Sequence, residues 1–164
     1  MKSRRILYIS QEIFPYLPES DISMTARKLS QGIQELGNDI RIFMPRFGLI
    51  NERRNQLHEV IRLSGINMII NNNDHPLIIK VASLPAARMQ VYFIDNDDFF
   101  KRKSLFDADP KAQTNDNDER SILFVVLLRR SRSSVGSQIS SIAMGRSRRW
   151  VCCTSRNSTT TTLA

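Results

Sequence analysis

The sequence predicts an α/β domain followed by a disordered basic tail, and three observations carry that expectation. Apolar runs and a helical stripe alternate as strand, helix and strand over residues 5–45. Two further β-rich runs, at 77–82 and 89–94, are joined by a short link containing Pro85, as in a hairpin. Charge then breaks near Phe124. Residues 125–164 hold seven arginines (129, 130, 132, 146, 148, 149 and 156) and no Asp or Glu, so they carry +7 of the chain's net +8. The first 124 residues hold 17 Lys+Arg against 16 Asp+Glu. The chain therefore divides into a domain over 1–124 and a tail over 125–164. Like-charge blocks poor in acids read as solvated, unstructured chain.

Each element has a local cause. Arg5-Ile-Leu-Tyr-Ile9 is short, apolar and β-rich, which suits a buried parallel strand. The stretch from Ser10 to Asp21 contains Pro15 and Pro18, which keep it out of a helix. Ser20 or Asp21 can cap a helix beginning there. Ile22, Ala26, Leu29, Ile33 and Leu36 recur at threes and fours, predicting a helix over 22–36 with that stripe facing the core. Gly37 suits the left-handed stop. Residues 38–45 then form a second strand, parallel to the first through a right-handed crossover. The loop leaving the first strand sits where open α/β sheets place ligands.

Further along, 46–56 is polar and mixed, 61–70 holds one strand or two, and Asn71-Asn-Asn-Asp74 signals a turn. Asp95, Asp97 and Asp98 read as a solvated strand end, because acids adjacent in sequence are not a coordination sphere. Residues 103–118 look loop-like, and a helix is expected to start near 116–119. His58 and His75 stand apart from the cysteines and read as surface or loop histidines, with no site geometry of their own. Cys152 and Cys153 are adjacent, which suits neither a disulfide nor a zinc knuckle. No metal site is expected. The basic start lacks the apolar core of a secretion signal and no run is long enough to span a bilayer, so a cytoplasmic protein without membrane partners is expected.

Several segments are specific in combination. They are Ile6-Leu-Tyr-Ile-Ser with Glu12-Ile-Phe-Pro15, the run from Ile33 through Gly37 to Met44-Pro-Arg-Phe-Gly48, and Leu49-Ile-Asn-Glu-Arg-Arg54. Val91-Tyr-Phe-Ile-Asp-Asn-Asp-Asp98 and Asp118-Glu-Arg-Ser-Ile122 complete the set. On these, residues 5–124 resemble the N-terminal part of bacterial glycogen (starch) synthases, glycosyltransferases of family 5, and most of all a divergent Bacteroides-type branch. The resemblance implies an incomplete Rossmann-like N-terminal domain of a GT-B enzyme. It also implies a retaining transfer of glucose from ADP-glucose to an α-1,4-glucan, with no cofactor. The partners it implies are therefore an α-glucan acceptor and a nucleotide sugar.

The family's first loop reads Lys-Thr-Gly-Gly-Leu. Here Pro18 stands at the lysine position, Ser20 and Asp21 at the glycines, and Ile22 at the leucine. A cation and two permissive glycines are lost, which weakens the usual donor contact. The resemblance makes Glu12, Pro15, Pro18, Ser20, Asp21 and Ile22 the candidate substrate-binding residues. It places no catalytic residue in this chain.

The tail carries a second message. Codons allowed for Ser134–Gly145 can be read two bases later as Arg-Trp-Glu-Pro-Asp-Ile-Ile-His-Cys-His-Gly, text the family places after Ser-Ile. Leu128–Ser134 and Ser158–Leu163 permit family-like readings under the same shift. A frameshift between about Leu123 and Leu128 is therefore expected. The truncated chain would then be inactive and would lack the strand completing its first sheet, leaving an open edge prone to self-association. Two rival functions are a non-catalytic glucan-binding module and, more weakly, a nucleic-acid-binding arm through the arginines and Trp150.

Overall fold

A computed structural model describes residues 3–70, 72–85, 87, 89–101 and 139–144. The first strand, β1 (Arg5–Ser10), leads through a loop to α1 (Asp21–Glu35) and then to β2 (Asp39–Pro45). β1 and β2 pair in parallel with Arg5 opposite Asp39, as expected. After a loop come β3 (His58–Glu59), β4 (Ile66–Ile70), β5 (Asn73–Ser83), β6 (Gln90–Asp95) and the short helix α2 (Asp97–Phe100). A final strand, β7 (Ile139–Met144), lies in the tail. The sheet runs β3-β5-β6-β2-β1-β7, with β4 paired to β5 outside that path. The expected hairpin is present, with β5 and β6 antiparallel and Ser83 opposite Gln90.

The apolar runs form the core. Tyr8, Ile42, Met44, Val91 and Phe93 lie on one face of three neighbouring strands and are inaccessible to solvent. Tyr16 packs edge-on against Phe93 with ring centroids 4.9 Å apart. On the opposite face Phe43 stacks on Tyr92 at 5.0 Å. Burying such side chains is worth about 1.5–3 kcal/mol each.

Four expectations need correction. The first concerns α1, which buries Ser23, Ala26 and Ser30, whereas Leu29 is 39% and Leu36 80% exposed. Small side chains let the helix lie close to the sheet. Ser30 hides its hydroxyl by donating to the Ala26 carbonyl at 2.7 Å, so its polarity costs little. Of the apolar stripe, Ala26 is buried and Ile33 packs against the core, while Leu29 and Leu36 sit to one side.

The second concerns Asp95, which is no solvated strand end. It is 3% exposed and paired with Arg46 and Lys80. Third, His75 is neither a surface nor a loop histidine, since it lies on β5 with its side chain 13% exposed and its Nδ1 2.8 Å from Asp98 Oδ2, whereas His58 is exposed on β3, as a surface histidine was expected to be. The fourth is the tail. β7 pairs in parallel with β1 from Arg5–Ile139 to Ser10–Met144, so six residues expected to be disordered form a strand in the slot expected to be empty. Backbone pairing needs only an extended segment, whatever its side chains. The loop and helix expected over 103–124, Trp150 and the two cysteines lie outside the described residues.

Candidate functional site

The loop from residue 11 to 20 leaves the carboxyl end of β1 and ends at the N-cap of α1. Its course is set by its own hydrogen bonds. Tyr16 and Leu17 amides both donate to the Ile13 carbonyl at 3.1 and 3.2 Å, and Phe14 N donates to Ser23 O at 3.3 Å. The Phe14–Pro15 peptide is cis. Ile13, Tyr16 and Leu17 are buried, pinning the loop to the core, and the Tyr16 hydroxyl donates to Ser83 O at 2.9 Å.

Ser20 closes the loop as N-cap. Its Oγ accepts from Ser23 N at 3.0 Å, while its own amide donates to Ser23 Oγ at 2.8 Å, a reciprocal capping box. Ser23 Oγ also donates to the Pro18 carbonyl at 3.1 Å. Ser20 Oγ in turn donates to Glu12 Oε2 at 2.6 Å. Glu12 is 2% exposed, and its second oxygen, Oε1, is buried with no hydrogen-bond partner among the described residues. Ser10 Oγ donates to the Glu12 carbonyl at 2.6 Å and holds the backbone there.

The six expected site residues therefore divide. Glu12, Ser20 and the Pro18 carbonyl belong to one bonded cluster. Asp21 is exposed on the first turn of α1, Ile22 is half-buried, and Pro15 is exposed at the far bend. The sequence reading missed Ser10 and Ser23. The Ser20-x-x-Ser23 spacing was the available signal, a capping box with serine in place of the usual Glu or Gln. Burial pushes the Tyr8 phenol up to about 12, although Ser10's hydrogen bond pulls it back, and it pushes Tyr16 up to about 12 against the charge of Arg27. Both phenols thus stay protonated at neutral pH, and that of Tyr16 serves as a donor to Ser83 O. Among the described residues no three of His, Cys, Asp and Glu are placed to share a metal ion.

Two strands away, the same end of the sheet carries an ion-pair network. Arg46, just after β2, meets Glu52 at 3.3 Å, Asp95 at 2.5 Å and Asp97 at 3.2 Å. Lys80 of β5 reaches Glu52 at 2.8 Å and Asp95 at 2.7 Å. The network ties the post-β2 loop, β5, β6 and α2 into one wall beside the first loop. A cavity of about 350 Å³ lies at the other end of the strands, among Gln34, Asp39, Arg41, Ser83 and Gln90. It is remote from the Glu12 cluster.

Comparison with known proteins points one way. A family model described as the starch synthase catalytic domain matches residues 5–131. The chain is 37% identical over 123 residues to glycogen synthase of Chlorobium phaeobacteroides, covering 74% of this chain and 25% of that protein. It is 38% identical over 106 residues to that of Chlorobium phaeovibrioides, covering 65% and 22%. The chain thus spans about a quarter of the length of these relatives. The catalytic domain of starch synthase IV from Arabidopsis thaliana, solved with ADP and acarbose bound, superposes with a TM-score of 0.67 at 15% identity. That superposition covers 85% of this chain and 28% of that one.

Proposed function

The chain belongs to the starch synthase catalytic domain family, and on that premise we propose that it is the N-terminal part of a glucosyltransferase. The parent enzyme moves glucose from ADP-glucose to the non-reducing end of an α-1,4-glucan, with retention, in the cytoplasm. One observation carries this above others: the family match runs unbroken through the β1–α1–β2 unit whose first loop sits at the carboxyl end of the sheet. In α/β folds that end is where ligands bind. The loop supplies one wall of the acceptor site, with Glu12, Pro15, Pro18, Ser20, Asp21 and Ile22 as the candidate substrate-binding set. The reacting groups come from the remainder of the enzyme, and closure of the two halves completes the site.

On this reading the 164-residue chain turns over no ADP-glucose, because it spans about a quarter of the length of the relatives it matches. Incubating purified chain with ADP-glucose and glycogen, and measuring ADP release, tests this; release above a blank would refute it. Retention on immobilised glycogen without turnover is the expected behaviour of a surviving acceptor wall.

We also propose that the tail sequence arises from a change of reading frame. The alternative reading Ile-Ile-His-Cys-His overlaps Ile139–Met144, the residues that form β7. Support therefore comes from position, since the strand falls where the family text would put one. Sequencing the DNA across codons 118–164 from an independent isolate tests it. The same short frame ending in a stop would overturn the proposal.

A further inference from the structure

We propose that the loop between β1 and α1 is built to exclude phosphate and to select a neutral, hydroxyl-bearing ligand. The inference rests on the assignment of this loop to the acceptor site, and it concerns what the site accepts. The N-terminus of a 15-residue helix such as α1 offers unpaired amides and roughly half a positive charge, an attractive place for an anion. Here that place is already taken. The Glu12 carboxylate reaches it through Ser20 Oγ at 2.6 Å, and the Ser20–Ser23 box consumes the Ser23 amide. A full internal negative charge outweighs the half-charge of the helix end.

The surroundings add to that field. Residues 6–26 contain Glu12, Glu19 and Asp21 and no Lys, Arg or His. The first cation onward is Arg27, about two turns further along α1, whose Nη2 donates to the Pro85 carbonyl and whose Nη1 is buried with no partner among the described residues. A phosphate approaching Ser20 would meet three carboxylates and no basic side chain of this segment.

The unpaired oxygen of Glu12 supplies the second, independent observation. Oε1 is buried with no donor among the described residues, and buried acceptors normally have one. A sugar hydroxyl can donate to it. A phosphate still carries an O–H at neutral pH, but it brings net negative charge against the carboxylate. Because Oε1 is enclosed, a ligand reaches it only as the loop over 11–20 opens, so binding registers across the loop and the first turn of α1.

The test is a titration of the ¹⁵N-labelled 164-residue chain, following the amides of residues 11–24. Maltoheptaose is expected to shift them, while inorganic phosphate and ADP leave them in place. Glu12→Gln removes the internal anion and should raise phosphate affinity by about tenfold. Glu19→Gln and Asp21→Asn, at exposed positions that leave the fold intact, should move phosphate affinity in the same direction. Phosphate or ADP shifting the wild-type amides would overturn the proposal, as would three variants with no gain in phosphate binding. A gain in the variants with no response to maltoheptaose would leave the exclusion standing and sink the acceptor-site assignment.

Discussion

Ser20 joins two systems with one hydroxyl. Its Oγ caps α1 and, among the described residues, supplies the one hydrogen bond that the Glu12 carboxylate accepts. Ser20→Ala therefore loses a cap, about 1 kcal/mol, and strips a buried carboxylate of its remaining partner, about 1–3 kcal/mol more. The expected result is a urea midpoint lowered by a corresponding amount with an unchanged slope. A variant melting like wild type would show that the Glu12–Ser20 bond is not formed in solution. Glu12 and Ser20 could be singled out from sequence because motif resemblance points at positions. The bond between them could not, because it depends on how the loop over 11–20 folds back.

The helix α1 and the Arg46 network show which patterns in the sequence mislead. Leu36 belongs to the apolar stripe yet is 80% exposed. Leu36→Ala should change stability by less than about 0.5 kcal/mol, whereas a core leucine would cost about 2–5 kcal/mol. Chemical denaturation of that single variant checks whether Leu36, at the C-cap, lies outside the core. Periodicity marked the right element and part of its buried line, Ala26 and Ile33, but it scores Ser23 and Ser30 as polar when smallness is what their positions require. The strands β1, β2 and β6 were readable because continuous apolar runs have one use in a parallel sheet.

The network around Arg46 was missed for a different reason. Its members lie at 46, 52, 80, 95 and 97, and only pairing of β2, β5 and β6 brings them together. Arg46→Met should cost about 3–5 kcal/mol, since it leaves Asp95 buried with half its compensation.

The same network sets the response to pH. A hydrogen bond from Lys101, helped by the charges of Lys101, Arg46 and Lys80, holds the Asp97 carboxyl below its ordinary 3.8 despite slight burial. A folded value below the unfolded one means the contribution is full above the unfolded value and is lost as pH falls through the folded one. Burial works against charge on Lys80, but Asp95 and Glu52 overrule it and raise its value above 10.5. That contribution is full below 10.5 and is lost as pH rises through the higher folded value. The wall should therefore loosen only at the two extremes, and Lys101→Ala should shift the acid unfolding limb to higher pH, which a circular dichroism titration would show.

For the molecule as a whole, the edge of the sheet has moved relative to expectation. β1 is flanked on both sides, and among the described residues β7, β3 and β4 each have a partner on one side only. The opposite edge, β3, is two residues long and blunted by its brevity. We therefore expect self-association through β7, seen as a concentration-dependent mass in light scattering and reduced by Ser141→Pro. A strictly monomeric wild-type chain would count against it. β7 escaped the sequence reading because Arg and Ser around it dominate the composition, while the parallel slot beside β1 asks only for six extended residues.

The order of strands also carries a timetable. β1 and β2 can pair once residue 45 is made, but the other side of β1 waits for residues 139–144, about a hundred residues later. At about 5–20 residues per second of synthesis, that wait is roughly 5–20 s. Throughout it β1, with Leu7, Tyr8 and Ile9 of the core, stands open along one side. A ribosome stalled before codon 139 would display an unfinished surface of the kind chaperones engage, and its release from them should come only as the last strand emerges.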